Sequence, residues 1–192
     1  MTSVRKPGDD ERQLIKKASR GDRRAFGVLL ERYQRRVVSV AMALLHNQDD
    51  AVELAQETFI RAFENLPTFE GRSSFATWLY RIASNLAIDW RRREARHPVM
   101  YGEEAEAELS RIPSTQGDSF GHAARNELNR KIRAALDELT PDHRAVILLR
   151  EVEGLSYEEI SDILGCPKGT VMSRLHYARD HLRELLKDLR MN

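Results

Sequence analysis

The 192-residue chain is 41% hydrophobic with a net charge of +1, enough apolar content for one domain or two small helical ones and too little charge for a protein that coats nucleic acid by basicity alone. It has no eighteen-residue apolar run, and no apolar segment follows the basic residues of "MTSVRKPGDDER", which argues against membrane insertion and a secretory leader and predicts a cytoplasmic protein. The single cysteine, Cys166, excludes an intrachain disulfide, and with His176 and His181 but no second cysteine it falls short of a zinc site, so no metal or other cofactor is expected.

Phe26, Leu29, Leu30, Tyr33, Val37, Val40, Ala41 and Leu44 recur at helical spacing behind Asp22, a suitable cap, and predict a long first helix. Asp50 and Glu53 resemble a capping box for a second helix with Val52, Ala55, Phe59, Phe63 and Leu66 on its core face and Pro67 as its stop. This register leaves Leu54 and Ile60 exposed among Glu53, Gln56, Glu57 and Arg61, which suits a protein-docking surface. The loop "PTFEGRS" leads to a third helix, "SFATWLYRIASNLAIDWRRR". There Phe75, Leu79, Ile82, Leu86 and Trp90 form a core face, and Arg81, Asn85, Asp89 and Arg92 form a polar one.

The stretch 97–121 has two prolines and three glycines, and its five acids are opposed only by Arg111, so it reads as a flexible acidic linker. After it, Ala124 to Leu139 is amphipathic, and Thr140 with Pro141 caps a further helix that Gly154 ends. Ser156 and Glu159 form a second capping box, for a short helix reaching about Leu164, and "GCP" turns the chain into a last helix from Lys168. No segment alternates with period two for long, so the predicted fold is all-α: domains 1–96 and 122–192 joined by the linker.

Short helix, glycine-containing turn and longer helix make the helix-turn-helix plan, whose second helix enters the major groove. From Lys168 to Arg179 there are basic residues and no acid, with Met172, Ser173, Arg174 and His176 placed to reach base edges. A helical hairpin with a solvated basic face is the plainer reading; cap, turn and charge asymmetry together favour DNA. In the third helix and its loop, Phe69, Trp78, Tyr80 and Trp90 offer stacking surfaces and Arg91, Arg92, Arg93 and Arg96 phosphate contacts, a mixture suited to unpaired bases, although an aromatic at helical spacing more often packs inside and Phe69 alone stands in a short loop. Catalytic constellations, phosphate-binding glycine loops and paired-histidine metal motifs are absent, which argues against an enzyme and a small-molecule substrate.

In this order, the three features resemble a bacterial RNA polymerase sigma factor of the extracytoplasmic-function (ECF) group over nearly the whole chain. "DDAVELAQETFIRAF" is similar to the family's segment that docks on core polymerase, "FEGRSSFATWLYRIASNLAIDWRRR" to the segment that melts and reads the −10 element, and "GCPKGTVMSRLHYAR" to the −35 recognition helix. The resemblance implies core-polymerase contact at Asp50, Glu53, Leu54, Gln56, Glu57 and Ile60. It implies −10 DNA contact at Phe69, Gly71, Arg72, Ser73, Arg81, Asn85, Asp89, Arg91, Arg92 and Arg93. At the −35 element it implies Lys168, Thr170, Met172, Ser173, Arg174, His176 and Arg179. Many members carry a basic residue where Met172 stands, which bears on the −35 sequence chosen. The family also implies an anti-sigma factor as a separate controlling partner. Two other readings predict different behaviour: a stand-alone helix-turn-helix regulator would bind palindromic half-sites unaided, and a protein adaptor would not bind DNA.

Overall fold

The computed structural model describes residues 9–96 and 119–187, and its regular elements are all helical. They are α1 (Asp9–Ala18), α2 (Arg23–Leu45), α3 (Gln48–Asn65), a 3-10 turn (Leu66–Thr68), α4 (Phe75–Arg96), α5 (Ser119–Asp137), α6 (Pro141–Ile147) with a wider π turn (Leu148–Val152), α7 (Tyr157–Leu164) and α8 (Lys168–Leu185). Most of the predicted linker, 97–118, lies outside the described residues.

Local chemistry accounts for most helix ends. Asp22 accepts the backbone N–H groups of Arg24 and Ala25 at the start of α2. Thr140 caps α6 with Pro141 in its first turn, and Ser156 with Glu159 closes a reciprocal capping box on α7. Gly165 then takes the left-handed conformation (φ 61°) that the turn into α8 requires. The start of α3 differs from the sequence expectation. Its cap is Asn47, which accepts from Asp49 and Asp50, so Asp50 lies inside the first turn. The preceding helix α1 has no counterpart in the predicted elements.

The first core gathers α2, α3 and α4, with α1 against α2. Leu29, Val37 and Val40 of α2 meet Leu54 of α3 and Phe75, Leu79 and Tyr80 of α4, all fully buried. The buried stripe of α3 is Ala51, Leu54, Ala55, Thr58, Phe59 and Ala62, rotated from the predicted one: Val52 is 40% exposed and Leu54 is 0%. Small residues explain the shift, because alanines let α3 approach α2 and α4 closely while Thr58 returns its hydroxyl to the Leu54 carbonyl at 2.7 Å.

A second core forms where α6, α7 and α8 pack together around Val146, Leu149, Ile160, Ile163, Val171 and Leu175. Arg144 is buried at its edge and donates to the carbonyls of Leu136, Asp137 and Leu139 where the chain leaves α5, the first of which also accepts from the Leu139 N–H. Burial lowers its pKa from the usual guanidinium value. The two cores also touch: α2 packs on α6 and α4 on α7.

Candidate nucleic-acid interface

Three faces stand apart from the cores. The first is a groove of about 620 Å³ between α2 and α3, floored by Phe26, Leu30, Phe59 and Phe63 and rimmed by Val52, Gln56 and Ile60. Phe26 meets Phe63 edge to face at 4.9 Å. Ile60 is 54% exposed, Glu53 and Gln56 are exposed, and Glu57 pairs with Arg61 at 2.7 Å. Leu54 cannot reach a partner from inside the core, so the apolar element of this face is Val52 and Ile60 beside the groove, not Leu54.

The second face is a pocket of about 850 Å³ walled by α1, by the loop Phe69–Ser74, by Thr77 and Arg81 of α4, and by Glu159 and Asp162 of α7. Phe69 anchors the loop from within: it packs at 5.1 Å against the tilted Trp78 ring and edge to face at 5.8 Å on Phe75, so it is half-buried rather than free to stack on a base. Gly71 has φ 71°, which turns the loop and leaves open space at its Cα. Glu70 and Arg72 pair at 2.5 Å. Phe69, Gly71, Arg72, Ser73 and Arg81 therefore share one cavity. Asn85 lies one turn beyond Arg81, exposed and outside the lining, with the Asp89–Arg92 pair (3.8 Å) a further turn along. Arg12 and Lys16 of α1, with Ser19 just after it, complete the wall; sequence reasoning missed them, although the run "RQLIKKASR" alternates apolar and basic positions at helical spacing.

Two residues of α4 with side chains suited to nucleic acid are turned inward. Tyr80 is fully buried, and its hydroxyl donates to Glu153 at 2.5 Å. Burial and that carboxylate push its pKa well above the usual phenol value. Arg91 donates through Nε to the Leu44 carbonyl at 3.1 Å, capping the end of α2, and lies 3.5 Å from Asp142. Arg92 and Arg93 remain exposed.

The third face is the outer side of α8. Met172 (51%), Ser173 and His176 are exposed as expected. Arg174 is not: it is half-buried, paired with Asp142 and in contact with the Cys166 sulfur at 3.8 Å. Lys168 pairs with Glu158 and Arg179 with Glu151, while Thr170 gives its carbonyl to the Ser173 hydroxyl. The residue sequence reasoning overlooked is Tyr177, 56% exposed and stacked at 4.6 Å on His143 of α6, with His181 6.0 Å away on its other side. Its signal was spacing: Ser173 and Tyr177 are one turn apart on the same helix face.

Residues 29–97 match the family model of Sigma-70 region 2, and residues 129–182 match that of Sigma-70 region 4. Over 189 residues the chain is 35% identical to the RNA polymerase sigma-H factor of Pseudomonas aeruginosa, covering 94% of this chain and 96% of that one. It is 36% identical over 184 residues to the ECF RNA polymerase sigma-E factor of Escherichia coli K12, covering 92% and 94%. Among solved structures it is similar to the sigma factor RpoE of Bartonella quintana in complex with the anti-sigma factor NepR (TM-score 0.65, 30% identity, 84% of this chain and 96% of that one). It is also similar to CnrH in complex with the cytosolic domain of CnrY (TM-score 0.62, 29% identity, 94% and 99%).

Proposed function

The chain belongs to the ECF group of sigma-70 RNA polymerase sigma factors, and we propose that its three faces divide the family's work among them. As a sigma factor it binds core RNA polymerase and recognises the −10 and −35 elements of promoters, and it is a non-enzymatic initiation factor. The α2–α3 groove, with Ile60, Val52, Gln56 and Glu53, takes a polymerase helix. An apolar floor with a polar rim suits such a partner. The pocket under the Phe69–Ser74 loop takes a base extruded from the non-template strand, Asn85 reads next to it, and Arg92 and Arg93 hold the backbone. Met172, Ser173, His176 and Tyr177 read the −35 element.

In this reading domain 1–96 carries the first two faces and domain 122–192 the third, with 97–121 as the connection. Among the described residues no helix is long and apolar enough to cross a membrane, which supports work in the cytoplasm. RpoE with NepR, and CnrH with the cytosolic domain of CnrY, support an anti-sigma factor as the controlling partner. The observation that carries the reading is the meeting of loop and α4 in one pocket with charged side chains on its walls, upstream of a capped helix-turn-helix. Its test is run-off transcription with core polymerase and a genomic promoter library, followed by mapping of start sites. The chain should select a discrete set of promoters; start sites no different from those of core polymerase alone would refute it.

A further inference from the structure

Few side chains of α8 are free to read a −35 base. Lys168 pairs with Glu158, Arg174 with Asp142 and Arg179 with Glu151, so each lysine and arginine between Lys168 and Arg179 already has a carboxylate partner. Bidentate guanidinium contact with guanine is thereby restrained, and Met172, Ser173, His176 and Tyr177 are left as the exposed groups of that face. An uncharged reader discriminates by its placement. We infer that His143, on α6, is a positioning residue for −35 recognition: its imidazole stacks on Tyr177 and fixes the ring that α8 presents to a base pair. This rests on the −35 reading of Tyr177.

The four exposed groups are not held alike. Met172 is an unbranched, flexible side chain. The Ser173 hydroxyl turns back to the Thr170 carbonyl at 3.1 Å, and His176, its side chain 81% exposed, lies 3.3 Å from Asp180 of its own helix. Tyr177 is braced from a second helix: its ring and that of His143 have centroids 4.6 Å apart and planes 30° apart. His181, one turn further along α8, adds another stacked ring at 6.0 Å and 13°. Both histidines are half-buried while Tyr177 keeps 56% of its surface exposed, so the stack takes up part of the ring and leaves the remainder to DNA.

A tyrosine held in this way loses less side-chain freedom on binding. Its hydroxyl can both donate and accept, so it meets a purine N7 or an exocyclic amine selectively only where its position is set. If His143 merely filled the junction of α6 and α8, its loss would weaken the fold and every promoter alike. A brace on Tyr177 acts instead on the one or two base pairs that Tyr177 reaches.

The imidazole is itself fixed by the cap of its helix. The Thr140 oxygen accepts from the His143 backbone N–H at the start of α6. Its hydroxyl hydrogen is then available to His143 Nδ1, 2.7 Å away, which puts the ring proton on Nε2 and sets the rotation of the ring. Burial, and after it Arg174, lower the His143 pKa and so favour this neutral form. Thr140, His143 and Tyr177 thus form a short chain of contacts from the backbone of α6 to the reading face of α8.

The test uses holoenzyme assembled from the full chain and from its His143→Gln, His143→Phe, Tyr177→Ala and H143Q/Y177A variants, each selecting from promoters randomised at the −35 positions. Tyr177→Ala should lose on the order of fivefold or more of the base discrimination at one or two positions. His143→Gln should lose at least about threefold at those same positions and nothing elsewhere, and the double variant should lose no more than Tyr177→Ala, as for two groups acting through one contact. His143→Phe keeps a stacking ring and should retain the parental preference. His143→Leu, which fills the space without a flat face, takes the place of His143→Gln if that variant fails to fold. Parental selection by His143→Gln with altered selection by Tyr177→Ala would overturn the proposal, as would a loss spread evenly over all −35 positions or one that His143→Phe does not recover. Unchanged selection by Tyr177→Ala would remove the −35 reading of Tyr177 itself, and the proposal with it.

Discussion

Leu54 and Ile60 lie six residues apart on α3 and separate stability from docking. Leu54 is fully buried, so Leu54→Ala removes methyl groups from a packed core and should cost about 3 kcal/mol, within the roughly 2 to 5 kcal/mol that such truncations cost. For a unit of this size that lowers the melting temperature by on the order of 10 to 20 °C. Ile60 leaves more than half of its surface in water, so its truncation forgoes less than half of a full burial, about 1 kcal/mol. Ile60→Arg should cost no more, because Glu64 lies one turn further along to receive the charge. Thermal unfolding followed by far-ultraviolet circular dichroism measures the first quantity, and native-gel co-migration with core polymerase measures the second. Leu54→Ala should melt early yet bind polymerase when folded, and Ile60→Arg should melt normally and lose polymerase. If Ile60→Arg co-migrates like the parent, the α2–α3 groove is not the dock; if Leu54→Ala keeps its melting temperature, the α3 register is wrong.

Asn85→Ala should change which −10 base is preferred, whereas Arg92→Ala should slow opening on every promoter alike; permanganate footprinting on promoters varied at the −10 positions distinguishes them. Tyr177→Ala should relax −35 selection at one or two positions, costing about 1 to 3 kcal/mol there, while Arg174→Ala should weaken all promoters about equally because Asp142 holds that guanidinium away from bases. Promoter selection from a randomised −35 pool checks both. His143 has a lowered pKa, through burial first and Arg174 second, so it favours the neutral ring in the fold. Its contribution is present above the unfolded value of about 6.5 and is lost as pH falls through the lower folded value. The melting temperature should fall over that window, and His143→Gln should flatten the slope.

Helix ends were legible because their chemistry is local: Asp22, Thr140 with Pro141, and Ser156 with Glu159 each act on backbone groups within three residues. The α3 register was not, because Ala51, Ala55 and Ala62 say little by hydropathy, while Val52, Ile60 and Phe63 belong to a groove that widens the apolar face beyond the core stripe. Some side chains assigned to DNA by type, and one offered as a stacking surface, are held by distant partners. Tyr80 meets an acid 73 positions away, Arg91 a carbonyl 47 away and Arg174 an acid 32 away. Local periodicity carries no information about such pairings. Asn85, Arg92, Met172 and His176 escaped this because they stand on faces that no other element covers.

The small net charge acquires a physical meaning from these pairings. A cation that neutralises a phosphate releases a condensed counterion, and each such contact steepens the salt dependence of duplex binding by about 0.9 in logarithmic slope. On the outer side of the second unit, however, Lys168 already holds Glu158 and Arg179 already holds Glu151. The Lys168 contact is strong enough to keep the Glu158 carboxyl below its usual range, and the Glu151 bond raises the Arg179 pKa. DNA would have to exchange with these carboxylates rather than meet bare cations, which weakens binding to arbitrary duplex while leaving untouched the base-edge contacts proposed for the exposed Met172, Ser173 and Tyr177. The free chain should therefore bind non-promoter duplex with a shallow salt slope. Glu151→Gln and Glu158→Gln should each steepen it by about 0.9 in a titration of affinity against salt. A slope that stays at the parental value in the double amide variant would mean that these ion pairs do not compete with phosphate, and that the near-neutral charge has no part in restraining the chain from the rest of the genome.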